Sequence, residues 1–228
     1  MKIVIATIKS WNIQRAEQLK KTYDVEIITA PEKLTLESLR VLAPRYLFFP
    51  HWSWIIPAEV YENFECVVFH MTDLPFERGG SPLQNLIVRK IYDTKISAIQ
   101  VTKGIDAGPI YCKRDLSLRT GNAQQLLDRA SEIIFEEMIP EILSQNMIPS
   151  PQHGAVTIFK RRTPQEGELL PSMDMQTIFD YIRMLDGEGY PPAYLMFGPY
   201  RLEFSQVESD GNVIEAKVRF TRQSGGHD

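Results

Sequence analysis

Two short, unbroken apolar runs constrain the fold of this chain more than any other feature. They are Tyr46–Phe49 (YLFF) and Cys66–Phe69 (CVVF), each bounded by polar or turn-forming residues. A strand covered on one face alternates apolar and polar residues, whereas continuous runs are typical of strands buried on both faces. Similar runs at Lys2–Thr7 and Val25–Thr29 are separated from them by helical segments. This alternation predicts an α/β fold with a doubly wound, mostly parallel sheet.

The second part of the chain has a different pattern. A linker rich in Pro and polar residues, Met147–Gly154, follows an amphipathic helix predicted over Asn122–Asn146. Beyond it the sequence predicts a helix around Met175–Leu185 and three short strands. The strands are predicted at Ala193–Phe197, Arg201–Val207 and Val213–Phe220. We therefore expect a catalytic core over residues 1–150 and a small α+β appendage over 151–228, which ends in a mobile polar tail (TRQSGGHD).

Composition narrows the class of protein. A net charge of −4 and a pI near 5.7 argue against a nucleic-acid-binding surface, although this sum leaves a local basic patch open. The basic run Lys160–Arg162 is interpreted as a solvated face. Cys66 and Cys112 are too few for a disulfide framework or a zinc site, and they fit a reducing compartment. No apolar stretch approaches the roughly 18 residues that cross a bilayer. We expect a cytoplasmic protein with no metal, no membrane association and no nucleic-acid partner. The sequence does not determine the oligomeric state, and a homodimer is one alternative.

A histidine and an aspartate are the candidates for chemistry. His70 follows the buried run that ends at Phe69, and Asp106 lies in the connection Lys103–Gly108 between two predicted strands. Ligands of open α/β sheets bind beyond the carboxyl ends of the strands, and a histidine beside a carboxylate is suited to proton transfer near neutral pH. Spacing alone leaves the alternative that His70 caps a strand and Asp106 closes a turn.

The segments around both residues resemble a known family. CVVFHMTDLPFERGGSPLQNLI and ISAIQVTKGIDAGPIY are similar to the catalytic core of the 10-formyltetrahydrofolate-dependent formyltransferases, which has a Rossmann-like fold. The shared features are a strand ending in His70, then Leu74-Pro75, Arg78-Gly79 and Pro82, then Gly104–Pro109. The family includes methionyl-tRNA, glycinamide ribonucleotide and sugar N-formyltransferases and a 10-formyltetrahydrofolate hydrolase domain. The resemblance resumes at RRTPQEGEL and IFDYIRMLDG.

The resemblance implies a reaction and a set of site residues. His70 and Asp106 become the catalytic pair: His70 stabilises the oxyanion of a tetrahedral intermediate, and Asp106 holds the imidazole and helps to remove the amine proton. The co-substrate, 10-formyltetrahydrofolate, is expected in two loops. These loops contribute Ser53, Trp54, Ile55 and Ile56, and Val101, Thr102, Lys103, Gly104 and Ile105. The acceptor-binding residues implied are Lys9, Asn12, Thr72, Arg78, Gly79 and Gln84.

One position departs from the family pattern. Most members carry Asn two residues before the histidine, and this chain has Val68 there, which cannot donate a hydrogen bond to an oxyanion. Three interpretations of this substitution are open: the protein is a transferase with a substitute donor, a hydrolase, or a weakened or non-catalytic relative. Thr72, Gln84 and Asn85 are the polar candidates for a substitute donor.

The identity of the formyl acceptor is the most specific prediction from the sequence. The short C-terminal part and the acidic balance argue against tRNA, and glycinamide ribonucleotide enzymes normally end after the first domain. The resemblance then favours an N-formyltransferase acting on a nucleotide-linked amino sugar for bacterial surface glycans, with Tyr190 and Tyr194 in the wall of the site. The alternatives are a 10-formyltetrahydrofolate hydrolase and a non-catalytic protein that binds folate or a nucleotide sugar. Formate release without an amine distinguishes the hydrolase.

Overall fold

The computed structural model of the chain describes residues 1–223, and these divide into two compact units. The first unit contains residues 1–79, 94–116 and 128–158. The second contains residues 80–93 and 117–127 and the chain from Phe159 onward. The domain boundary near residue 150 stays a prediction.

Strands and helices alternate along the first part of the chain. The strands are β1 (Lys2–Ala6), β2 (Asp24–Ile28), β3 (Tyr46–Phe49), β4 (Cys66–His70), β5 (Arg78–Gly79), β6 (Asp93–Gln100), β7 (Ile110–Ser117), β8 (Ile158–Phe159), β9 (Ala193–Phe197), β10 (Tyr200–Ser209) and β11 (Ile214–Arg222). The α-helices are α1 (Ser10–Leu19), α2 (Leu36–Leu42), α3 (Ala58–Tyr61), α4 (Pro82–Val88), α5 (Ala123–Ile133), α6 (Ile139–Gln145) and α7 (Met175–Arg183). Short 3-10 helices occupy Pro31–Lys33 and Pro164–Gly167.

The long helix predicted over Asn122–Asn146 is present, but it is not regular. A π-helical turn over Ile134–Met138 separates α5 from α6. Pro140 near the start of α6 has no N–H, so it cannot donate to the carbonyl four residues earlier, and the hydrogen-bond ladder is interrupted there.

The central sheet has the strand order β2-β1-β3-β4-β6-β7. β2, β1, β3 and β4 are parallel to one another. β6 is antiparallel to β4, with His70 opposite Ser97 and Val67 opposite Gln100. The predicted α/β class with a mostly parallel sheet is confirmed. Because the chain leaves β1 for β2 on one side and returns to β3 on the other, the strand order reverses between β1 and β3. Ligands of such sheets bind at that crevice.

The continuous apolar runs are buried, as their composition predicts. All four residues of β3 are buried, and Ile3, Val4, Ile5 and Ala6 of β1 are fully covered. Local signals end the helices between the strands: Thr35 caps the start of α2 by accepting from the Ser38 N–H at 3.2 Å. Ala43 closes α2 in the left-handed conformation just before Pro44.

The second unit contains a three-stranded antiparallel sheet of order β11-β10-β9. The three strands lie where the sequence predicts them, and β11 continues to Arg222, two residues into the predicted tail. The remainder of that tail, Ser224–Asp228, lies outside the described residues. Within residues 1–223, no helix is long and apolar enough to cross a membrane.

Candidate active site

His70 lies at the carboxyl end of β4 and is almost fully buried, with 6% of its surface exposed. Its Nδ1 lies 3.4 Å from Asp106 Oδ2, and its Nε2 lies 3.0 Å from the carbonyl oxygen of Glu77. Both ring nitrogens therefore face acceptors. A neutral imidazole carries one N–H and satisfies one of them, whereas the imidazolium donates to both. The surroundings of His70 are suited to a ring that holds or transfers a proton.

The chain after β4 is shaped by a serine on the neighbouring strand. The hydroxyl of Ser97, which is fully buried opposite His70, donates to the Thr72 carbonyl at 2.7 Å and accepts from the Leu74 N–H at 3.3 Å. Glu77 then adopts a left-handed conformation (φ 56°), which turns its carbonyl toward the ring. The Thr72 hydroxyl donates to the same carbonyl at 3.3 Å. The Glu77 carbonyl thus has two donors.

Asp106 reaches His70 through a loop that starts at the other end of β4. Because β6 is antiparallel to β4, the connection Lys103–Gly108 leaves the sheet near Gln100, opposite Val67, and must fold back. A Cβ on Gly108 would lie 1.7 Å from the Gln100 carbonyl oxygen, so only glycine fits where the loop returns beside the end of β6. Asp106 Oδ2 accepts from the Gly79 N–H at 2.9 Å.

The two predicted donor loops meet in one apolar cluster. Ile56 of the first loop and Val101 of the second both pack against the cluster that contains Phe49. Trp54, Ile55 and Ile105 of these loops are 42%, 93% and 77% exposed, so the two loops present apolar side chains at the surface. Ser53, Lys103 and Gly104 are exposed and Thr102 is half-buried. Folate binding by these loops stays a prediction.

Asn12 has internal partners and not the open position expected of a substrate ligand. It is fully buried, and its Nδ2 lies 3.2 Å from the Pro50 carbonyl, from Thr7 Oγ1 and from His51 Nδ1. Ser131 donates to its Oδ1 at 2.6 Å. Asn12 therefore joins the loops that follow β1 and β3. Lys9 lies beside this group, with its Nζ 5.3 Å from the centre of the Trp11 ring.

The other predicted acceptor-binding residues divide between the two units. In the first unit, Arg78 donates to Gln152 Oε1, Gly79 donates to Asp106, and Thr72 is fully buried. Gln84 belongs to the second unit, where it is buried and donates to the Met184 carbonyl at 3.3 Å. Each of these donors already has a partner within the protein.

The position of the missing family asparagine is apolar. Val68 packs against the cluster around Phe49. The three candidate substitutes have their donors engaged: Thr72 with Glu77, Gln84 with Met184, and Asn85 Nδ2 with the carbonyls of Gly80 and Lys160. All three therefore donate to backbone carbonyls of the protein, and a substitute donor among them stays a prediction.

Sequence reasoning missed two residues of this region. His51 follows a buried strand just as His70 does, so the signal that selected one was present for the other. Burial and the charge of Lys9 lower the pKa of His51 to about 4. Gln152 lies in the predicted linker, where a polar residue gives no local signal. Within residues 1–223, no group of three or more His, Cys, Asp or Glu residues is placed to hold a metal ion.

Comparisons with known proteins show which proteins this chain is similar to. A family profile described as the methionyl-tRNA formyltransferase C-terminal domain matches residues 164–221. A methionyl-tRNA formyltransferase from Nitratiruptor sp. is 26% identical over 88% of this chain and 67% of that protein. The solved structure of a methionyl-tRNA formyltransferase from Clostridium thermocellum is 54% identical, with a TM-score of 0.95, over 97% of this chain and 99% of that one.

More distant structures share the fold alone. HypX from Aquifex aeolicus, solved in complex with tetrahydrofolic acid, has a TM-score of 0.76 at 16% identity over 92% of this chain and 38% of that one. Structures named as known or likely sugar N-formyltransferases match at 14–16% identity. The chain spans 51–67% of the length of the curated relatives that it matches.

The fold and the site together define a doubly wound α/β core with a His–Asp pair suited to proton transfer. At 54% identity over nearly the whole length of a solved relative, the chain belongs to the formyltransferase family. The prediction of a formyltransferase with a tetrahydrofolate-bound formyl donor is confirmed at the level of the family.

The finer prediction about the acceptor is not supported. The relatives of higher identity are named for methionyl-tRNA, and the likeness to sugar N-formyltransferases is distant. Excluding a nucleic-acid partner was therefore wrong in part. That exclusion rested on the short C-terminal part and on the net charge of the whole chain. A net charge does not show a local surface: the nine residues of β11 include Lys217, Arg219 and Arg222.

Proposed function

We propose that this protein transfers the formyl group of 10-formyltetrahydrofolate to a primary amine, with methionyl-tRNA as the acceptor. The observation that supports this reaction is the placement of the His70 ring, with Asp106 Oδ2 at 3.4 Å on one side and the Glu77 carbonyl at 3.0 Å on the other. The acceptor rests on the likeness to the Clostridium thermocellum protein.

The surface of the two predicted donor loops fits a pterin. Trp54, Ile55 and Ile105 supply exposed apolar side chains, and Lys103 and Gly104 are exposed beside them. A pterin is flat and has amide-like edges, so apolar walls with a few backbone donors and acceptors suit it. When bound, the co-substrate supplies an activated formyl group on nitrogen.

His70 is suited to stabilise the charge that develops during transfer. The acceptor amine attacks the formyl carbon, the carbonyl oxygen becomes negative in a tetrahedral intermediate, and the folate nitrogen leaves with a proton. In our proposal the Nε2–H of His70 donates to this oxygen in place of the Glu77 carbonyl, while Asp106 holds the ring at Nδ1. The Thr72 hydroxyl, 3.3 Å from that carbonyl, keeps it hydrogen-bonded when the Nε2–H donates to the oxyanion.

Asp106 acts through the other side of the ring. Its Oδ2 faces Nδ1, so the carboxylate holds the ring orientation and balances the positive charge of the imidazolium. The same pair can take the proton that the acceptor amine loses. Because Val68 offers no donor, His70 carries the oxyanion without the amide that most of the family uses.

A basic strand in the second unit supports a tRNA acceptor. Lys217 and Arg219 are exposed and lie two residues apart on β11, so their side chains share one face of the sheet. They lie opposite Ser205 and Glu203 of β10. Lysine and arginine side chains provide most of the affinity for a phosphate backbone.

The direct test supplies the protein with 10-formyltetrahydrofolate and one acceptor at a time. The acceptors are methionyl-tRNA, a panel of nucleotide-linked amino sugars, and water alone, and products are identified by mass spectrometry. We expect the mass gain of one formyl group on methionyl-tRNA. Gain on an amino sugar alone would restore the sequence-based acceptor, and formate without an amine would indicate a hydrolase. No turnover under any condition would refute the proposed function.

A charge variant tests the acceptor separately. We expect Lys217→Gln combined with Arg219→Gln to raise the KM for methionyl-tRNA about tenfold and to weaken its salt dependence, because two phosphate contacts are lost. Lys33→Gln combined with Arg40→Gln removes the same charge from the first unit and serves as the matched control. Equal effects of both pairs would contradict a specific role of β11.

A further inference from the structure

We propose that Gln152 is a positioning residue for formyl transfer: its side-chain amide clamps the backbone of the loop Lys103–Gly108 and thereby sets the distance between Asp106 and His70. The inference rests on the proposed function and deepens it. It assigns a role to a residue that lies in the segment predicted as a linker.

Gln152 uses both ends of its amide. Nε2 donates to the Asp106 carbonyl at 2.8 Å and to the Gly108 carbonyl at 2.7 Å. Oε1 accepts from Arg78 Nη2 at 2.8 Å and from Arg78 Nε at 3.2 Å. Carbonyls only accept and a guanidinium only donates, so these partners also determine which end of the amide is nitrogen. The full donor and acceptor capacity of the side chain is used.

The loop that Gln152 holds is one that needs a clamp. Asp106 has a left-handed backbone (φ 51°), which is unfavourable for a residue with a Cβ. The loop also leaves the sheet opposite Val67 and folds back to reach His70. A hydrogen bond to the carbonyl of Asp106 itself holds the backbone at the residue whose side chain faces the ring.

The segment that carries Gln152 is anchored on both sides. Ser150 and Ile110 exchange two backbone hydrogen bonds, at 2.7 and 2.9 Å. Thr157 accepts from the Glu77 N–H at 2.8 Å through its hydroxyl and from the Arg78 N–H at 3.0 Å through its carbonyl.

Both acceptors that face His70 are therefore tied to residues 150–157. Gln152 holds the Asp106 side, and Thr157 holds the Glu77 side. A shift of this segment would move the two acceptors relative to the ring. Displacements of about 1 Å at a site of this kind lower turnover by up to roughly 10²-fold.

A double-mutant cycle separates positioning from a general structural role. We expect Gln152→Ala to lower kcat about 10- to 100-fold, with the KM for the acceptor changed less than about threefold. If Gln152 acts through Asp106, the same substitution in an Asp106→Asn background should cost less than about threefold. Gln145→Ala, at an exposed glutamine of the same unit, is the matched control.

A second variant guards against misfolding of the first. Gln152→Glu keeps an oxygen toward Arg78 and replaces the donating nitrogen with an oxygen that repels the two carbonyls. We expect the same kinetic pattern from it. Equal kcat losses in the wild-type and Asp106→Asn backgrounds, or an unchanged kcat in both Gln152 variants, would overturn the proposal.

A readout without turnover keeps this test apart from the proposed function. We expect amide hydrogen exchange over residues 103–108 to rise about tenfold or more in Gln152→Ala and to stay unchanged in Gln145→Ala. If the wild-type protein transfers no formyl group, the proposed function fails and exchange still tests the clamp. Unchanged exchange in the loop would refute the clamp whatever the activity.

Discussion

Two histidines follow adjacent strands of the sheet, and their surroundings are opposite. His70, at the end of β4, faces two acceptors, the carboxylate of Asp106 and the carbonyl of Glu77. His51, just beyond β3, faces a donor: Asn12 Nδ2 lies 3.2 Å from its Nδ1. One ring is surrounded by groups that accept its protons, and the other meets a group that offers one. The neighbours, and not the residue type or its place at the strand end, decide which histidine suits proton transfer.

The orientation of the Asn12 side-chain amide supports this difference between the two histidines. The Pro50 carbonyl can only accept, so the NH₂ of Asn12 must point toward it, and the same NH₂ then faces His51 Nδ1. His51 is therefore neutral with its proton on Nε2, in agreement with a pKa lowered to about 4 by burial and by Lys9. This ring lies against Asn12 and Trp11 of α1 and is not poised to transfer protons.

The largest expected effect tests the contrast directly. His70→Ala should lower formyl transfer at least about 10²-fold, because it removes the group that we propose to stabilise the oxyanion and to move the proton. His51→Gln, which keeps a polar side chain beside Asn12, should cost less than about tenfold. Steady-state kcat with the proposed acceptor, methionyl-tRNA, is the measurement. Comparable losses in the two variants would contradict the different roles.

Removing the donor beside His51 should affect stability more than catalysis. Asn12→Ala deletes an amide that is fully buried and hydrogen-bonded to Pro50 and Ser131, which leaves buried polar groups without a partner. We expect a loss of about 1–3 kcal/mol in the free energy of unfolding, measured by urea denaturation. Asn63→Ala, at an exposed asparagine, is the control and should change it by less than about 0.5 kcal/mol. A loss of unfolding free energy no greater than that of the control would show that the hydrogen bonds of Asn12 do not stabilise the fold.

The third expected effect, of about the same size as that of Asn12→Ala, is a pH dependence of stability. The pKa of His51 is about 4 in the folded chain and near 6.5 in the unfolded one, so the unfolded chain binds the extra proton between these values. The contribution is fully present above about pH 6.5 and is lost as the pH falls toward 4. We expect the wild-type protein to lose about 1–3 kcal/mol more than His51→Gln across this window, measured by urea denaturation at several pH values. Parallel profiles for the two proteins would exclude His51 as the titrating group.

Local sequence patterns determined much of the fold and part of the site. The continuous apolar runs located β3 and β4, and the predicted strand Ala193–Phe197 agrees with β9 residue for residue. These predictions succeeded because a strand buried on both faces requires apolar residues at several consecutive positions, which is a local sequence pattern. Position and motif resemblance selected His70 and Asp106, which the fold places 3.4 Å apart. Their catalytic role stays a prediction.

Strand direction and the partners of polar groups were decided by the tertiary structure alone. No local pattern shows that β6 runs against β4, so the sequence does not reveal that the Asp106 loop starts at the far end of β4 and folds back. Its clamp, Gln152, lies 46 residues beyond Asp106 in a segment that resembles any polar linker. His51 and His70 looked alike in sequence because both follow a buried strand. Apolar burial is encoded residue by residue, whereas the state of a polar side chain depends on which distant donors and acceptors the fold brings to it.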